Sequence, residues 1–186
     1  EEDIRILVDA IRGTDMELPV ILGAFCGLRR SEIAALTPEC VDLKSRTLTV
    51  RYATVRGIET TWTTKTTKTT ESTRTIRLFP QAYESVKRLC SNLPPKAPIV
   101  TISPNKITER FSRLCEVNEI THYRFHDLRH FCASAMLGQG IPKKYVSSFL
   151  GHNSERMVDQ VYFHVMASVK TEAEDKMEAY FSTILS

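Results

Sequence analysis

The sequence predicts a mainly α-helical domain carrying a small three-stranded antiparallel β-sheet. Two observations predict it: apolar residues recur at helical spacing towards both ends of the chain, while one central stretch from Leu43 to Leu78 turns threonine-rich and β-branched. At 186 residues, 42% hydrophobic and 25% charged, the chain suits one domain, residues 1–186, with a proper core. No apolar run approaches the ~20 residues that span a bilayer, which argues against a membrane partner.

Ile4, Leu7, Val8 and Ile11 follow the period of an amphipathic first helix, and Gly13 is its expected stop. From Met16 to Phe25 the chain is almost wholly apolar and reads as a buried helix ending at Gly27. Leu28-Arg29-Arg30-Ser31-Glu32 then opens a second, short helix through Leu36, and Thr37-Pro38-Glu39 turns the chain out of it. The three strands are expected at Thr47–Val50, Ile58–Thr64 and Thr73–Leu78, with residues 65–72 as the hairpin between the last two. Pro80 starts a helix whose buried stripe is Tyr83, Val86, Leu89 and Cys90, and Pro94 to Pro98 breaks the chain after it. Ser103 or Asn105 caps a helix through Cys115, another runs from about Phe125 to Leu137, and Pro142 starts the next. In the tail, residues 168–186, Ala173, Met177, Tyr180, Phe181, Ile184 and Leu185 line one face, suited to packing at home or on a neighbouring subunit.

The five cysteines are scattered without a CxxC pair, which argues against a disulfide framework and a thiolate zinc site and fits a reducing cytoplasm. The start, Glu1-Glu2-Asp3, is acidic, lacks a signal-peptide pattern and has no initiating Met, as expected of a domain cut from a longer protein. A net charge of +3 is modest, but Arg51 to Arg77 carries six cations against two anions and is a candidate phosphate-contacting surface.

All five histidines lie between His122 and His164, concentrating the groups that move protons near neutral pH. On a helix, His126 and Arg129 share a face; imidazole transfers protons and guanidinium grips two oxygens of a phosphate, so a phosphodiester is the natural substrate. Glu32, three residues from Arg29, is placed to orient that guanidinium. His152 follows a glycine, and Tyr162, ten residues later, brings a phenol able to act as nucleophile. Lys65 and Lys68 each place a flexible ammonium in the hairpin. Simpler readings exist for each residue alone: a lone arginine is commonly a surface group, a lone tyrosine a half-buried aromatic, and His126 with His130 an i, i+4 pair able to bind zinc.

Together, Cys26-Gly27-Leu28-Arg29-Arg30-Ser31-Glu32, His126-Asp127-Leu128-Arg129-His130, Leu150-Gly151-His152 and Tyr162-Phe163-His164 resemble the signature boxes of the tyrosine recombinases, the phage-integrase family, over the whole chain as that family's C-terminal catalytic domain. The family's N-terminal DNA-clamping domain has no counterpart here. The resemblance implies the catalytic-domain fold and metal-independent DNA cleavage and rejoining through a 3'-phosphotyrosyl link at Tyr162, without a cofactor. It implies that Arg29 and Arg129 hold the non-bridging oxygens, His126 serves as acid or base, and His152 bonds a phosphate oxygen. A lysine protonates the leaving 5'-oxygen; Lys68-Thr69, Ser72 and Arg74-Thr75-Ile76-Arg77-Leu78 match the family pattern, and Lys65 stays open as the alternative. Arg30, Lys65, Arg74 and His130 are then expected at the DNA, and Glu32 and His164 behind the reacting groups. The implied partners are double-stranded attachment sites, a homotetramer on DNA and an accessory DNA-bending or directionality factor, in the cytoplasm on the nucleoid. Cys26 replaces the usual threonine, and the paired threonines usual before the tyrosine are missing. A type IB topoisomerase-like nicking-closing enzyme and a non-cleaving DNA-binding module are the rival expectations.

Overall fold

The computed structural model describes residues 2–56, 62–66, 73–120, 123–151, 158–165 and 177. Helix α2 (Glu17–Cys26) is the centre of the fold, as its apolar sequence requires, with every residue from Leu18 to Ala24 buried. Around it pack α1 (Glu2–Ala10), α3 (Arg30–Ile33), α4 (Pro80–Cys90) and α6 (Asp127–Gly138). Helix α5 (Pro104–Val117) closes against α1 and α3, and α7 (Lys143–Leu150) against α6. Residues 158–165 form a further helical segment.

The expected sheet of three antiparallel strands is present, but its membership differs. Its order is β1 (Val41–Asp42), β2 (Thr47–Val50), β5 (Arg74–Arg77), with Leu48 opposite Ile76 and Val50 opposite Arg74. The strand expected at 58–64 is not its middle member: β4 (Trp62–Thr66) pairs instead with β3 (Tyr52–Arg56) in a separate ribbon. The threonine-rich texture marks strands without saying which pair, because pairing is set by side-chain contacts across the sheet. Lys65 accordingly lies within β4, opposite Ala53, rather than in a loop.

Other boundaries shift for local reasons. Ser103, not Asn105, caps α5 by accepting the Lys106 N–H, with Pro104 in the first turn. Leu89 is 38% exposed, and Ala82 and Ser85 take its place on the buried face of α4. Helix α3 stops at Ile33 and the chain reaches Leu36 through a turn. Phe125 and His126 belong to a turn before α6, where the Asp127 carboxylate accepts the Arg124 N–H at 2.7 Å. All five cysteines are buried and free, and no described helix is long and apolar enough to cross a membrane.

The buried apolar residues form two clusters. The larger joins α1, α2, α4, α5 and the three-stranded sheet; the smaller gathers Cys132, Ala133, Leu137, Val146, Leu150, Val158 and Val165 under α6, α7 and the 158–165 helix. Where α2 ends, Gly27 adopts φ +62, and a Cβ there would stand 2.3 Å from Leu150 Cδ2. Both the left-handed backbone and the close approach of α7 demand glycine. Gly27→Ala is expected to cost about 2 kcal/mol or more in urea unfolding, the sum of a strained φ and an overpacked contact. A loss within about 0.5 kcal/mol would show that α7 yields freely.

Candidate active site

The turn after α2 builds the site. Gly27 redirects the chain, Leu28 enters the core at 1% exposure, and Arg29 takes an extended conformation (φ −76°, ψ 149°) as the residue before α3. Glu32, in the first turn of α3, reaches back: its Oε2 accepts the Arg29 backbone N–H at 2.8 Å, the return half of a capping box. Its Oε1 accepts from Arg29 Nη1, also at 2.8 Å. Glu32 thus bonds both the backbone amide and the guanidinium of Arg29. Arg29 Nη2 donates to the Gly151 carbonyl at 3.2 Å, and the side chain keeps 34% of its surface open to solvent.

Arg74, expected at the DNA, is placed elsewhere. It leads β5 into the interior at 8% exposure and donates from Nη1 and Nη2 to the two oxygens of Glu32, at 3.1 and 2.9 Å. Its position alternates inward with Ile76, while Thr75 and Arg77 face out. A basic residue in a strand can face either way, and only the strand's register decides.

Arg129, on α6, is buried at 1% exposure. Its Nη1 donates to the Gly27 carbonyl and its Nη2 to the Leu150 carbonyl, so one guanidinium ties together the C-terminal ends of α2 and α7, where helix carbonyls lack partners and the dipoles favour a cation. Its role as a staple was not visible in the sequence; no local spacing links positions 27, 129 and 150. Burial, reinforced by the charge of Arg29, lowers its pKa to about 9, still cationic at neutral pH. The Nε–H groups of Arg74 and Arg129 are buried without an acceptor among the described residues.

His126 stands exposed at the start of α6, its ring packed edge-to-face on His130 at 5.1 Å. Partial burial, then the neighbouring His130, Arg129 and Arg29, lower its pKa, favouring the neutral ring that can accept a proton. Among the described residues no three His, Cys, Asp or Glu side chains are grouped to hold a metal. Arg30 is exposed and donates to Thr108 Oγ1 on α5, Lys65 is exposed on β4, and His164 is exposed in the 158–165 helix. Tyr162 lies in that helix, half-buried, its ring against Phe163 and the smaller apolar cluster. Lys68, His152 and His122 lie outside the described residues.

The site therefore gathers Arg29, Arg74 and Arg129 about a single carboxylate, with His126 beside them, and its charge balance favours an anion. Burial alone would raise the Glu32 pKa, but the Arg74 hydrogen bonds and the charges of Arg74 and Arg29 outweigh it and hold the carboxyl at about 2, against an ordinary 4.5. A carboxyl lowered on folding stabilises the fold above its unfolded pKa and loses that contribution as pH falls towards its folded one; the shift corresponds to about 3 kcal/mol. Glu32→Gln is expected to be less stable than the parent by roughly that amount at pH 7, with the gap closing between pH 4.5 and 2 in unfolding titrations. A gap independent of pH would refute this account of the pairing.

Residues 20–168 match the phage integrase family. Curated relatives include a XerC-like tyrosine recombinase of Caldanaerobacter subterraneus subsp. tengcongensis, 27% identical over 81 residues, and an integrase of Saccharopolyspora erythraea, 30% identical over 80. These alignments cover 44% and 43% of this chain but only 21% and 18% of the relatives, so the chain spans about a fifth of their length. Among solved structures, the Tn1549 transposon integrase in complex with a circular intermediate DNA superposes with TM-score 0.75 at 19% identity, covering 91% of this chain and 62% of that one. The XerA recombinase gives 0.73 at 19% over 93% and 62%. The catalytic domain of bacteriophage HP1 integrase gives 0.61 at 22% over 92% and 91%. The fold is that of a tyrosine recombinase catalytic domain, and with four-fifths of its length inside the family match, this chain belongs to the phage integrase family.

Proposed function

We propose that this chain is the catalytic domain of a site-specific DNA recombinase, which cuts and rejoins double-stranded attachment sites without a metal or cofactor. The observation that carries this reading is the partly open guanidinium of Arg29, hydrogen-bonded to Glu32 and within electrostatic reach of the buried Arg129. An oriented fork with one accessible side binds a non-bridging phosphate oxygen with little reorganisation, and a buried cation near it acts through low dielectric. Arg129 spends one N–H of each Nη on a carbonyl, so each retains a second for phosphate.

In the reaction, the Tyr162 oxygen attacks the scissile phosphorus as its proton passes to neutral His126. The bond to the 5'-oxygen breaks, and that oxygen takes a proton from Lys68, with Lys65 as the alternative donor. His152 bonds a non-bridging oxygen, and Arg30 and His130 contact flanking phosphates. Phenolate is a good leaving group, so attack by the 5'-hydroxyl of another strand reverses the step and exchanges partners. Exchange between two duplexes calls for a homotetramer, with the apolar residues of the 168–186 tail joining neighbouring subunits and an accessory DNA-bending or directionality factor assisting.

The test uses a pool of randomised duplexes in which the bridging 5'-oxygen is replaced by sulfur, so that cleavage releases a thiol that does not religate. Detergent-stable protein–DNA adducts are expected with the parent and not with Tyr162→Phe; a parent that binds the pool without forming adducts is a non-cleaving binder. Because a thiolate leaves without protonation, the variant lacking the acid, Lys68→Ala, is expected to cleave the sulfur substrate at close to the parental rate and the oxygen substrate about 10²-fold or more slowly. Rescue of Lys65→Ala instead would move the role to β4.

A further inference from the structure

Arg74 is charged yet buried at 8% exposure, so its place in the interior calls for an internal purpose. Its only acceptors among the described residues are the two oxygens of Glu32, the same atoms that hold Arg29. Oε1 is shared between Arg29 Nη1 and Arg74 Nη1; Oε2 is shared between the Arg29 backbone N–H and Arg74 Nη2. A carboxylate gripped by a planar fork has its plane fixed, and fixing that plane fixes the direction in which Oε1 meets Arg29. A lone Arg29–Glu32 pair would leave the carboxylate free to turn and its second lone pairs unmet in a site 3% exposed.

Arg74 also shapes the other contact of Arg29. Gly151, at φ +64, lies so close that a Cβ there would come within 2.8 Å of Arg74 Nη1 and 3.0 Å of its Cδ. The Gly151 carbonyl in turn accepts from Arg29 Nη2 at 3.2 Å. Arg74 therefore touches both groups to which the Arg29 side chain donates, although it has no hydrogen bond to Arg29 itself.

We propose that Arg74 is a positioning residue for DNA cleavage: by clamping the Glu32 carboxylate and backing the Gly151 turn, it holds the Arg29 guanidinium in the orientation that receives the scissile phosphate. This rests on the recombinase reading of the site. It separates Arg74 from the DNA-contacting arginines with which its sequence position groups it.

The test combines single-turnover cleavage of duplexes recovered from the randomised pool with a carbon-13 titration of the Glu32 carboxyl. Arg74→Met is expected to slow cleavage about 10- to 100-fold with the DNA concentration at half-maximal rate changed less than threefold, the mark of lost orientation rather than lost binding. In an Arg29→Lys background the same substitution is expected to cost less than threefold, because the group it positions is gone. If Arg74→Met fails to fold, Arg74→Lys, which keeps the charge and loses the fork, serves in its place and is expected to fold and show an intermediate loss. Both variants should raise the Glu32 pKa. Equal losses in both backgrounds, a loss confined to DNA affinity, or an unmoved Glu32 titration would each overturn the proposal. If the parent forms no adduct, the recombinase reading fails by itself, and the Glu32 titration still reports whether Arg74 clamps the carboxylate.

Discussion

The site depends on one buried carboxylate. Removing Glu32 from water costs several kcal/mol, and the attraction of one partner rarely repays that in a protein interior. Here each oxygen accepts two hydrogen bonds, drawn from two guanidiniums and one backbone amide, so no lone pair faces an apolar wall. The arrangement also ties separate elements together: Glu32 reaches Arg29 from the first turn of α3, and Arg74 reaches Glu32 from β5, itself paired to β2. Arg29, at 34% side-chain exposure, is then the outermost member of a set whose other members are buried.

A second constraint runs through helix ends. Arg129 bonds the carbonyls that close α2 and α7, so one buried cation neutralises the negative poles of two helices that belong to different apolar clusters. The join between the clusters is polar at its centre, and Gly27 and Gly151, both left-handed, let the two chain reversals come close enough for one side chain to reach both. The packing of the fold and the charge of the site are the same contact.

Much of this was legible in the sequence. The helices were readable because each carries a periodic apolar stripe and a cap or stop, such as Ser103 with Pro104 or Gly27, and the Arg29–Glu32 pair was readable because residues three apart on a helix are neighbours. Arg129 and His126 were singled out from their chemistry, and both lie within electrostatic reach of Arg29. The strand pairing was not legible, since every candidate strand between residues 47 and 78 carries threonine and the texture offers several registers of similar merit. Nor was the inward turn of Arg74, which follows from that register and not from its neighbours in sequence. Long-range polar contacts leave no periodic trace, and for that reason the staple at positions 27, 129 and 150 had to be seen.

The 158–165 helix rests on the smaller cluster through Val158 and Val165, at 0% and 8% exposure, with Lys143 on α7 paired to Asp159 along its edge. Burying those two valines contributes on the order of 3–6 kcal/mol, and Val161 and Tyr162 add partial burial on the same cluster, which is distinct from the one around α2. Tyr162 is thus carried on an element that packs on the smaller cluster, while Arg29 and Arg129 are held where α2 and α7 end. Loosening of the 158–165 helix and unfolding of the whole molecule would therefore differ in the apolar surface they expose.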